Sequence, residues 1–340
     1  MKPNIFKYAT TELSQDAFLC WLLDWANDSN SEFDTDLNLV AQDFIDELVG
    51  KKLTDYHVEV RKQLENIDVS AIINNTYFVV IEDKKGTSEH SNQLVKYSNY
   101  VKQNKKWEHL EKKLIYFKME EQSDLKGVES AKFVHFERGK MLKVLSTYFD
   151  SVLENNQNNI LQDYYNKLVK IDRETLSYKT LPIKNWTEYS WKGFFHNLQQ
   201  ELLEFDPSWG NVPNASGGFQ GFFWNWLTPN PTTPTFYLQI ESTGLLTFRL
   251  ESGNFELNKE YRDIFKRNLQ KVATQNQIEL ADYGGRGKVG KTMGVLKLNE
   301  DFIKQDADGL LDFPTTVSFL KIISNTMTDS VTLLGKSSVI

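Results

Sequence analysis

Hydrophobic and polar residues recur with two different periods along the first half of the chain. Apolar residues at three- and four-residue spacing predict helices, and β-branched or aromatic runs predict strands. The segment 76–81 is apolar at every position after Thr76, as expected for a central strand buried on both faces. Asn74 and Asn75 suit a tight hairpin turn, because asparagine tolerates positive φ. Helices are expected at 15–26, 39–49, 91–101, 141–153 and 160–171, and strands at 57–60, 67–73, 76–81, 114–118 and 132–136.

A polar stretch interrupted by Pro182 separates this half from a second set of elements. The element order predicts an α/β N-terminal domain over residues 1–175, with a mixed sheet flanked by helices. A C-terminal α+β domain with an antiparallel sheet is expected over residues 183–340. Its helices are expected at 191–204, 259–276 and 316–325, and its strands at 221–227, 236–241, 245–251, 278–280 and 294–298.

The composition narrows the class of protein. Of the 340 residues, 40% are hydrophobic and 13% aromatic, which is enough to bury a core and excludes overall disorder. The single cysteine, Cys20, excludes an internal disulfide framework and a thiolate-rich zinc site. The sequence shows neither a secretory signal nor an apolar run long enough to span a membrane. We therefore expect a cytoplasmic protein without a membrane partner.

Charge is distributed unevenly around the total of −7, a total that argues against a generally basic nucleic-acid-binding protein. Residues 1–83 carry six Lys and Arg against sixteen Asp and Glu, whereas residues 84–118 carry nine Lys against three Glu. A carboxylate-held metal beside a phosphate-attracting surface has this pattern. A helix with a solvated lysine face has it as well.

Three ionisable residues are expected to meet where the strand 76–81 ends. Side chains alternate along a strand, so Glu82 and Lys84 share one face and Asp83 points to the other. Asp68, on the neighbouring hairpin strand, can approach Glu82 from the side. Two close carboxylates repel each other unless a cation lies between them, and oxygen ligands suit Mg²⁺ or Mn²⁺. With a lysine to orient water or neutralise phosphoryl charge, this set can hydrolyse a phosphodiester.

Two alternatives stay open from these residues alone. The buried strand could simply end in solvated charges, with Asp68 as an ordinary turn residue, because short charged motifs recur by accident. Either Glu82 or Asp83 could face the metal, although the alternation anchored by Lys84 favours Glu82.

The helix that follows can add to this site. Gln93 and Tyr97 lie four residues apart and share a helix face, which a short connection can turn back toward the strand end. Lys96 and Lys102 extend a positive flank suited to phosphate, and Lys85 is a further candidate contact to nucleic acid. Tyr97 could instead be a core contact and Gln93 a solvated side chain.

The ordered set Asp68, Glu82-x-Lys84 and Gln93-xxx-Tyr97 resembles the PD-(D/E)XK nuclease superfamily. The core of that superfamily is a mixed four-stranded sheet flanked by helices, the restriction-endonuclease-like fold. The helix signature is similar to that of recombination-type exonucleases, and residues 12–25 resemble the first helix of a bacterial branch. The resemblance covers residues 4–101 well and the next two strands loosely. The proline of the superfamily's name is absent, since Ile67 precedes Asp68.

This resemblance implies a role for each matching residue. Asp68 and Glu82 would bind Mg²⁺ or Mn²⁺, with Glu12 from the first helix as an auxiliary ligand. Lys84 would be the catalytic lysine. The remaining two members of the implied catalytic set, which position the phosphate or support the site, are Gln93 and Tyr97. The implied function is a metal-dependent nuclease, an endonuclease or an exonuclease, that cuts DNA in preference to RNA.

Two other motifs carry less weight. Residues 285–292 match the G-x-x-x-x-G-K-[ST] phosphate-binding loop, but that loop requires a helix after it, and residues 293–298 predict a strand. A basic hairpin loop is the better interpretation. The aromatic residues between 219 and 226 could stack on unpaired bases, but the pattern is more typical of a sheet core.

Two further hypotheses keep the fold and change the function. The chain could be a catalytically silent module that binds nucleic acid or a partner, or a defence nuclease activated when a ligand binds its C-terminal domain. The complete set of site residues argues against the silent module, since decayed sites usually lose at least one. Assembly into a homo-oligomer stays open.

Overall fold

The computed structural model describes residues 3–64, 66–85, 92–152, 157–214, 217–284 and 290–336. The chain divides into two compact units, residues 1–173 and 174–340. Each unit has its own sheet and its own hydrophobic core. Among the described residues, no helix combines the length and apolar character needed to cross a bilayer.

The N-terminal unit is built around a mixed five-stranded sheet. Its strands are β1 (Val58–Leu64), β2 (Ile67–Ile73), β3 (Tyr77–Lys84), β4 (Glu111–Lys118) and β5 (Val134–Glu137), and its helices are α1 (Glu12–Trp25), α2 (Thr35–Val49), α3 (Gln93–Gln103), α4 (Lys126–Ser130), α5 (Arg138–Ser151) and α6 (Asn159–Leu176). The sheet order is β1-β2-β3-β4-β5, with antiparallel pairing from β1 to β3 and parallel pairing from β3 to β5. The resemblance implies a four-stranded core, and the sheet of this unit has five strands because β1 pairs along the edge of β2.

β3 lies in the middle of this sheet because it is apolar on both faces. Phe78 and Val80 point into a core shared with α3, whereas Ile81 points into the larger core shared with α1 and α2. The turn before β3 has φ angles of 51° at Asn74 and 50° at Asn75, which confirms the expected left-handed turn. The polar end of β3 is therefore delivered into a region that is packed on both sides.

Helices α1 and α2 cover the face of the sheet opposite α3. α2 begins after Asp34, whose side chain accepts the N–H of Leu37, and ends at Gly50 in the left-handed conformation. α1 begins at Glu12, earlier than the sequence predicts, so Glu12 and Asp16 both belong to it. Residues four apart lie on the same helix face, so this helix presents two carboxylates side by side.

The C-terminal unit has an all-antiparallel six-stranded sheet in the order β10-β11-β9-β8-β7-β6. Its strands are β6 (Ser208–Val212), β7 (Phe219–Leu227), β8 (Thr235–Glu241), β9 (Leu246–Glu251), β10 (Leu280–Asp282) and β11 (Thr292–Leu298), and its helices are α7 (Glu188–Glu201), α8 (Phe255–Gln275) and α9 (Phe313–Lys336). β6 is absent from the sequence prediction because Gly210 and Asn211 disfavour a strand. α9 extends beyond the predicted end at 325 because its buried Ser and Thr hydroxyls bond to carbonyls four residues earlier.

The aromatic residues of β7 divide between core and surface. Phe222 and Trp224 are fully buried, as the core interpretation predicts, whereas Trp226 is 37% exposed and stacks on Tyr237. The segment that matches a phosphate-binding loop leads into β11, which begins at Thr292. The element after the match is therefore a strand, as the sequence predicts, and not the helix that a phosphate-binding loop requires. Residues 285–289 of that match lie outside the described residues.

Candidate active site

Asp68, Glu82 and Lys84 lie together on one face of the N-terminal sheet. The antiparallel pairing of Val69 with Ile81 places Asp68 beside Glu82 on adjacent strands. The Lys84 ammonium nitrogen Nζ lies 2.6 Å from Glu82 Oε1. The carboxyl groups of Asp68 and Glu82 lie within hydrogen-bonding distance of each other. These three residues therefore form one compact cluster at the carboxyl end of β3.

Burial and mutual repulsion keep a proton in this cluster. Glu82 is fully buried, and this burial, followed by the charge of Asp68, raises its pKa to about 8. Burial also raises the pKa of Asp68, although that carboxylate accepts the N–H of Asp83 at 3.0 Å. The Asp68–Glu82 pair therefore holds a proton more readily than two separate carboxyls would, and Lys84 compensates the negative charge that the pair retains.

Lys84 has the opposite balance. Burial lowers the pKa of its ammonium, but the hydrogen bond and charge of Glu82, together with the charge of Asp68, outweigh burial and raise it. Lys84 therefore stays charged at neutral pH. A permanently charged ammonium can donate hydrogen bonds and neutralise negative charge, but it cannot accept a proton from water.

Helix α1 adds two carboxylates to the edge of this cluster. Glu12 Oε1 accepts the N–H of Lys85 at 2.9 Å, which ties α1 to the residue after β3. Asp16 is 2% exposed, and burial, followed by the charge of Asp68, raises its pKa to about 6. Asp16 is not among the site residues expected from the sequence. Its spacing of four residues from Glu12 was the available signal.

Asp83 points to the opposite face of β3, as strand alternation predicts. Its Oδ1 accepts a hydrogen bond from Gln15 Nε2 at 2.6 Å, and burial raises its pKa well above the ordinary value. Gln15 in turn accepts hydrogen bonds from Tyr164 and Lys167 of α6. No local sequence pattern predicts these contacts, because Tyr164 and Lys167 lie 149 and 152 residues away from Gln15 along the chain.

The Lys167 ammonium in this inner group is also perturbed. Burial, followed by the charge of Lys85, lowers its pKa to about 8. Behind the proposed site, β3 is therefore held by a buried polar network that connects it with α1 and α6.

Gln93 and Tyr97 face the sheet from α3. Gln93 Nε2 donates to the Tyr97 hydroxyl at 2.7 Å, and that hydroxyl donates to the carbonyl of Asn66 at 2.6 Å. Asn66 immediately precedes β2, so this pair holds the segment that leads into Asp68. The pKa of Tyr97 is raised by burial and then by the charges of Glu82 and Asp68, which places its hydroxyl in the field of the site.

The three lysines predicted to contact nucleic acid differ in their surroundings. The Lys85 ammonium donates a hydrogen bond to the carbonyl of Thr10, and Lys85 lies at the edge of the site. Lys96 and Lys102 are exposed on α3 and do not take part in the carboxylate cluster.

The donor chemistry of the cluster fits a hard divalent cation. Glu82 Oε2, Asp16 Oδ1 and Asp83 Oδ2 are buried without a hydrogen-bond partner among the described residues. A cation would replace the shared proton and compensate the charge of these oxygens. In the described ranges, however, no three Asp, Glu, His or Cys side chains are already gathered at metal-binding distance.

Comparison with known proteins agrees with this arrangement. The family model of the PD-(D/E)XK nuclease superfamily matches residues 3–188, more than half of the chain and all five strands of the N-terminal sheet. No curated protein and no solved structure matches the sequence. The matched range contains Asp68, Glu82 and Lys84. The chain therefore belongs to the PD-(D/E)XK nuclease superfamily.

Proposed function

We propose that this protein is a divalent-metal-dependent nuclease that hydrolyses phosphodiester bonds of DNA, with Mg²⁺ or Mn²⁺ as its cofactor. The observation that carries the proposal is the buried Asp68–Glu82 carboxyl pair beside the charged Lys84. Family membership supports hydrolysis of nucleic acid. The choice of DNA over RNA rests on the resemblance alone.

In this proposal Asp68 and Glu82 hold the metal, and Glu12 or the neighbouring Asp16 completes its protein ligands. A bound divalent ion supplies positive charge for the leaving oxygen and lowers the pKa of water. Asp68 is fixed for this task by the N–H of Asp83, and by the Gln93–Tyr97 pair that holds Asn66. Because these contacts exist without substrate, the site is organised before binding.

Lys84 acts as a hydrogen-bond donor in this proposal. Its raised pKa keeps the ammonium charged, so it orients the attacking water and neutralises charge on the phosphate oxygens. A metal held by Asp68 and Glu82 would compensate the charge of these carboxylates and would leave the Lys84 ammonium available to the substrate.

The direct test compares cleavage by wild type with three variants, Asp68→Ala, Glu82→Ala and Lys84→Ala. Each should lose at least about a thousandfold in rate, because each removes a group on which transition-state stabilisation depends. Asp150→Ala, at an exposed acid of α5, is the matched control and should cleave like wild type. If wild type with Mg²⁺ or Mn²⁺ cuts neither DNA nor RNA, the proposal is wrong.

The silent-module hypothesis makes a different prediction for metal. It favours the ion pair between Lys84 and Glu82 as a permanent structural contact, consistent with the lack of a preassembled three-ligand group among the described residues. It predicts that Mg²⁺ leaves the melting temperature unchanged. The nuclease proposal predicts a rise that is lost in Glu82→Ala.

A further inference from the structure

Helix α3 and the turn after it present an exposed face that carries positive charge and no negative charge. From Asn92 to Trp107 the sequence contains no Asp or Glu. Its four lysines are all exposed: Lys96, Lys102, Lys105 and Lys106. Asn99 and Gln103 on the same surface add amide donors. Such a face suits the phosphate backbone of a nucleic acid.

Contacts at the two ends of this segment define its direction. Near its start, the Tyr97 hydroxyl donates a hydrogen bond to the carbonyl of Asn66 at 2.6 Å, two residues before Asp68. Beyond its end, the Trp107 ring stacks on Phe78, at the start of β3, with ring centroids 4.4 Å apart. The lysine face therefore begins beside the proposed active site and runs the length of the central strand away from it.

These lysines are not neutralised by their surroundings. Within the described residues, none of the four has a carboxylate within salt-bridge distance, whereas Lys113, on β4, pairs with Glu111 at 2.7 Å. An unneutralised row of ammonium groups is repulsive to itself, and a phosphate backbone relieves this repulsion while releasing its own counterions.

The opposite flank of the site has the reverse charge. It is formed by α1 and α2, on the sheet face opposite α3, which together contain seven Asp and Glu residues and no Lys or Arg. A backbone leaving the site in that direction would meet carboxylates. The attractive surface thus lies on one side of the site only, as far as the described residues define it.

We propose that the substrate backbone follows Lys96, Lys102, Lys105 and Lys106, so that the nuclease has a one-sided footprint. This inference rests on the proposed function. At a rise of about 1.5 Å per residue the lysines span about 15 Å, the length of roughly four to five phosphates of one duplex strand. The enzyme therefore needs nucleic acid of about that length on one side of the cut and much less on the other.

The first experiment measures binding without cleavage. In the full chain carrying Asp68→Asn, the triple change Lys102→Gln, Lys105→Gln, Lys106→Gln is compared with Lys52→Gln, Lys126→Gln, Lys143→Gln. The control triple removes the same charge from exposed lysines elsewhere in the N-terminal unit. Fluorescent DNA duplex, DNA single strand and RNA serve as probes between about 50 and 200 mM salt. The α3 triple should weaken binding at least about thirtyfold and lower the salt slope by about three, with little change in the control.

The second experiment measures the footprint. Once wild type has defined a cut position, substrates are shortened stepwise on the 5′ or the 3′ side of it. We expect kcat/KM to fall on one side only, when fewer than about five nucleotides remain there. The α3 triple should be slower overall and insensitive to that shortening, which an unrelated folding defect would not produce.

The outcomes separate the two proposals. If both triples weaken binding equally, or neither does, or if wild type needs equal lengths on both sides, the one-sided footprint is wrong while the nuclease function stands. If wild type cuts none of the probes, the proposed function fails, and the binding assay still decides whether α3 holds nucleic acid.

Discussion

The two units of this protein treat buried polar groups differently. In the C-terminal unit, buried hydroxyls are paired: Ser324 accepts the indole N–H of Trp224 at 2.8 Å and donates to a carbonyl of its own helix. In the N-terminal unit, Asp16 Oδ1, Glu82 Oε2 and Asp83 Oδ2 lack a hydrogen-bond partner within the part of the chain that the structure describes, although the second oxygens of Glu82 and Asp83 are paired. Both sheets pack against helices, so burial itself does not explain the difference.

This difference shows that buried carboxylates, which are unfavourable for folding, are retained in the N-terminal unit. A buried, uncompensated carboxylate costs free energy of folding, and apolar residues of similar size would remove that cost. The unpartnered carboxylates are grouped around the end of β3 and the start of α1, not scattered through the core. Grouped strain of this kind is typical of a site whose missing partner is a ligand.

The largest expected effect separates two adjacent acids of β3. Glu82→Gln should reduce cleavage at least about a thousandfold, because it removes a proposed metal ligand. Asp83→Asn should stay within about tenfold of wild type, because an amide keeps the shape of the buried group on the opposite face. Initial rates at saturating Mg²⁺ test this pair. The reverse order of effects would move the metal to the Asp83 face and contradict the assignment.

The pH dependence of stability should differ between the units. A carboxyl whose folded pKa is raised stabilises the fold below its unfolded pKa and loses this contribution as pH rises through the folded value. For Glu82, facing Asp68, Lys84 and Tyr97, that window runs from about 4.5 to about 8. Without divalent metal, the melting temperature should therefore fall by several degrees between about pH 5 and pH 8.

Substitutions in each unit sharpen this pH prediction. Glu82→Gln should make the decline measurably shallower, because the amide does not titrate, and the slope that is left belongs to Asp16 and Asp83, whose pKa values burial also raises. Glu241→Gln is the matched control, since Glu241 is a half-buried carboxyl of the C-terminal unit whose pKa burial also raises. It should leave most of the slope in place. An identical slope in wild type and Glu82→Gln would show that Glu82 is not the protonated group.

Metal binding should restore the stability that the protein loses as the pH rises. Mg²⁺ or Mn²⁺ would compete with the proton that the Asp68–Glu82 pair holds, so its stabilising effect should be larger near pH 8 than near pH 6. Calorimetry should also detect proton release on binding at the lower pH. Glu82→Gln should show neither effect. A pH-independent rise that persists in this variant would place the metal elsewhere.

The site residues that lie close together along the chain could be predicted from the sequence. Asp68, Glu82 and Lys84 were predictable because one hairpin and strand alternation fix their relation, and the structure places them on one face. Gln15, Tyr164 and Lys167 were not, because they meet only when α1 and α6 pack on the same sheet face. The proposed catalytic roles remain predictions.

The fold shows the same limit. Strands with a strong apolar pattern, such as β3, were predicted nearly in full, whereas β6 and the polar half of α9 were not. In both missed cases tertiary contacts override local propensity. β6 is a sheet-edge strand paired to β7, and the second half of α9 packs Met327, Val331 and Leu334 into the core of its unit. Period and propensity alone do not contain that information.

The smallest expected effect tests the well-paired unit. Ser324→Ala removes the acceptor of the buried Trp224 indole N–H, so the free energy of unfolding should fall by about 1–3 kcal/mol. Cleavage by the folded enzyme should not change, because no proposed site residue belongs to this unit. The matched control is Thr332→Ala. The exposed Thr332 hydroxyl bonds to a carbonyl of the same helix, as Ser324 does, and its loss should change the free energy of unfolding by less than about 0.5 kcal/mol. Chemical denaturation of both variants measures the difference. Equal losses would mean that the C-terminal unit gains nothing from pairing its buried polar groups, and the contrast with the unpartnered carboxylates of β3 would lose its meaning.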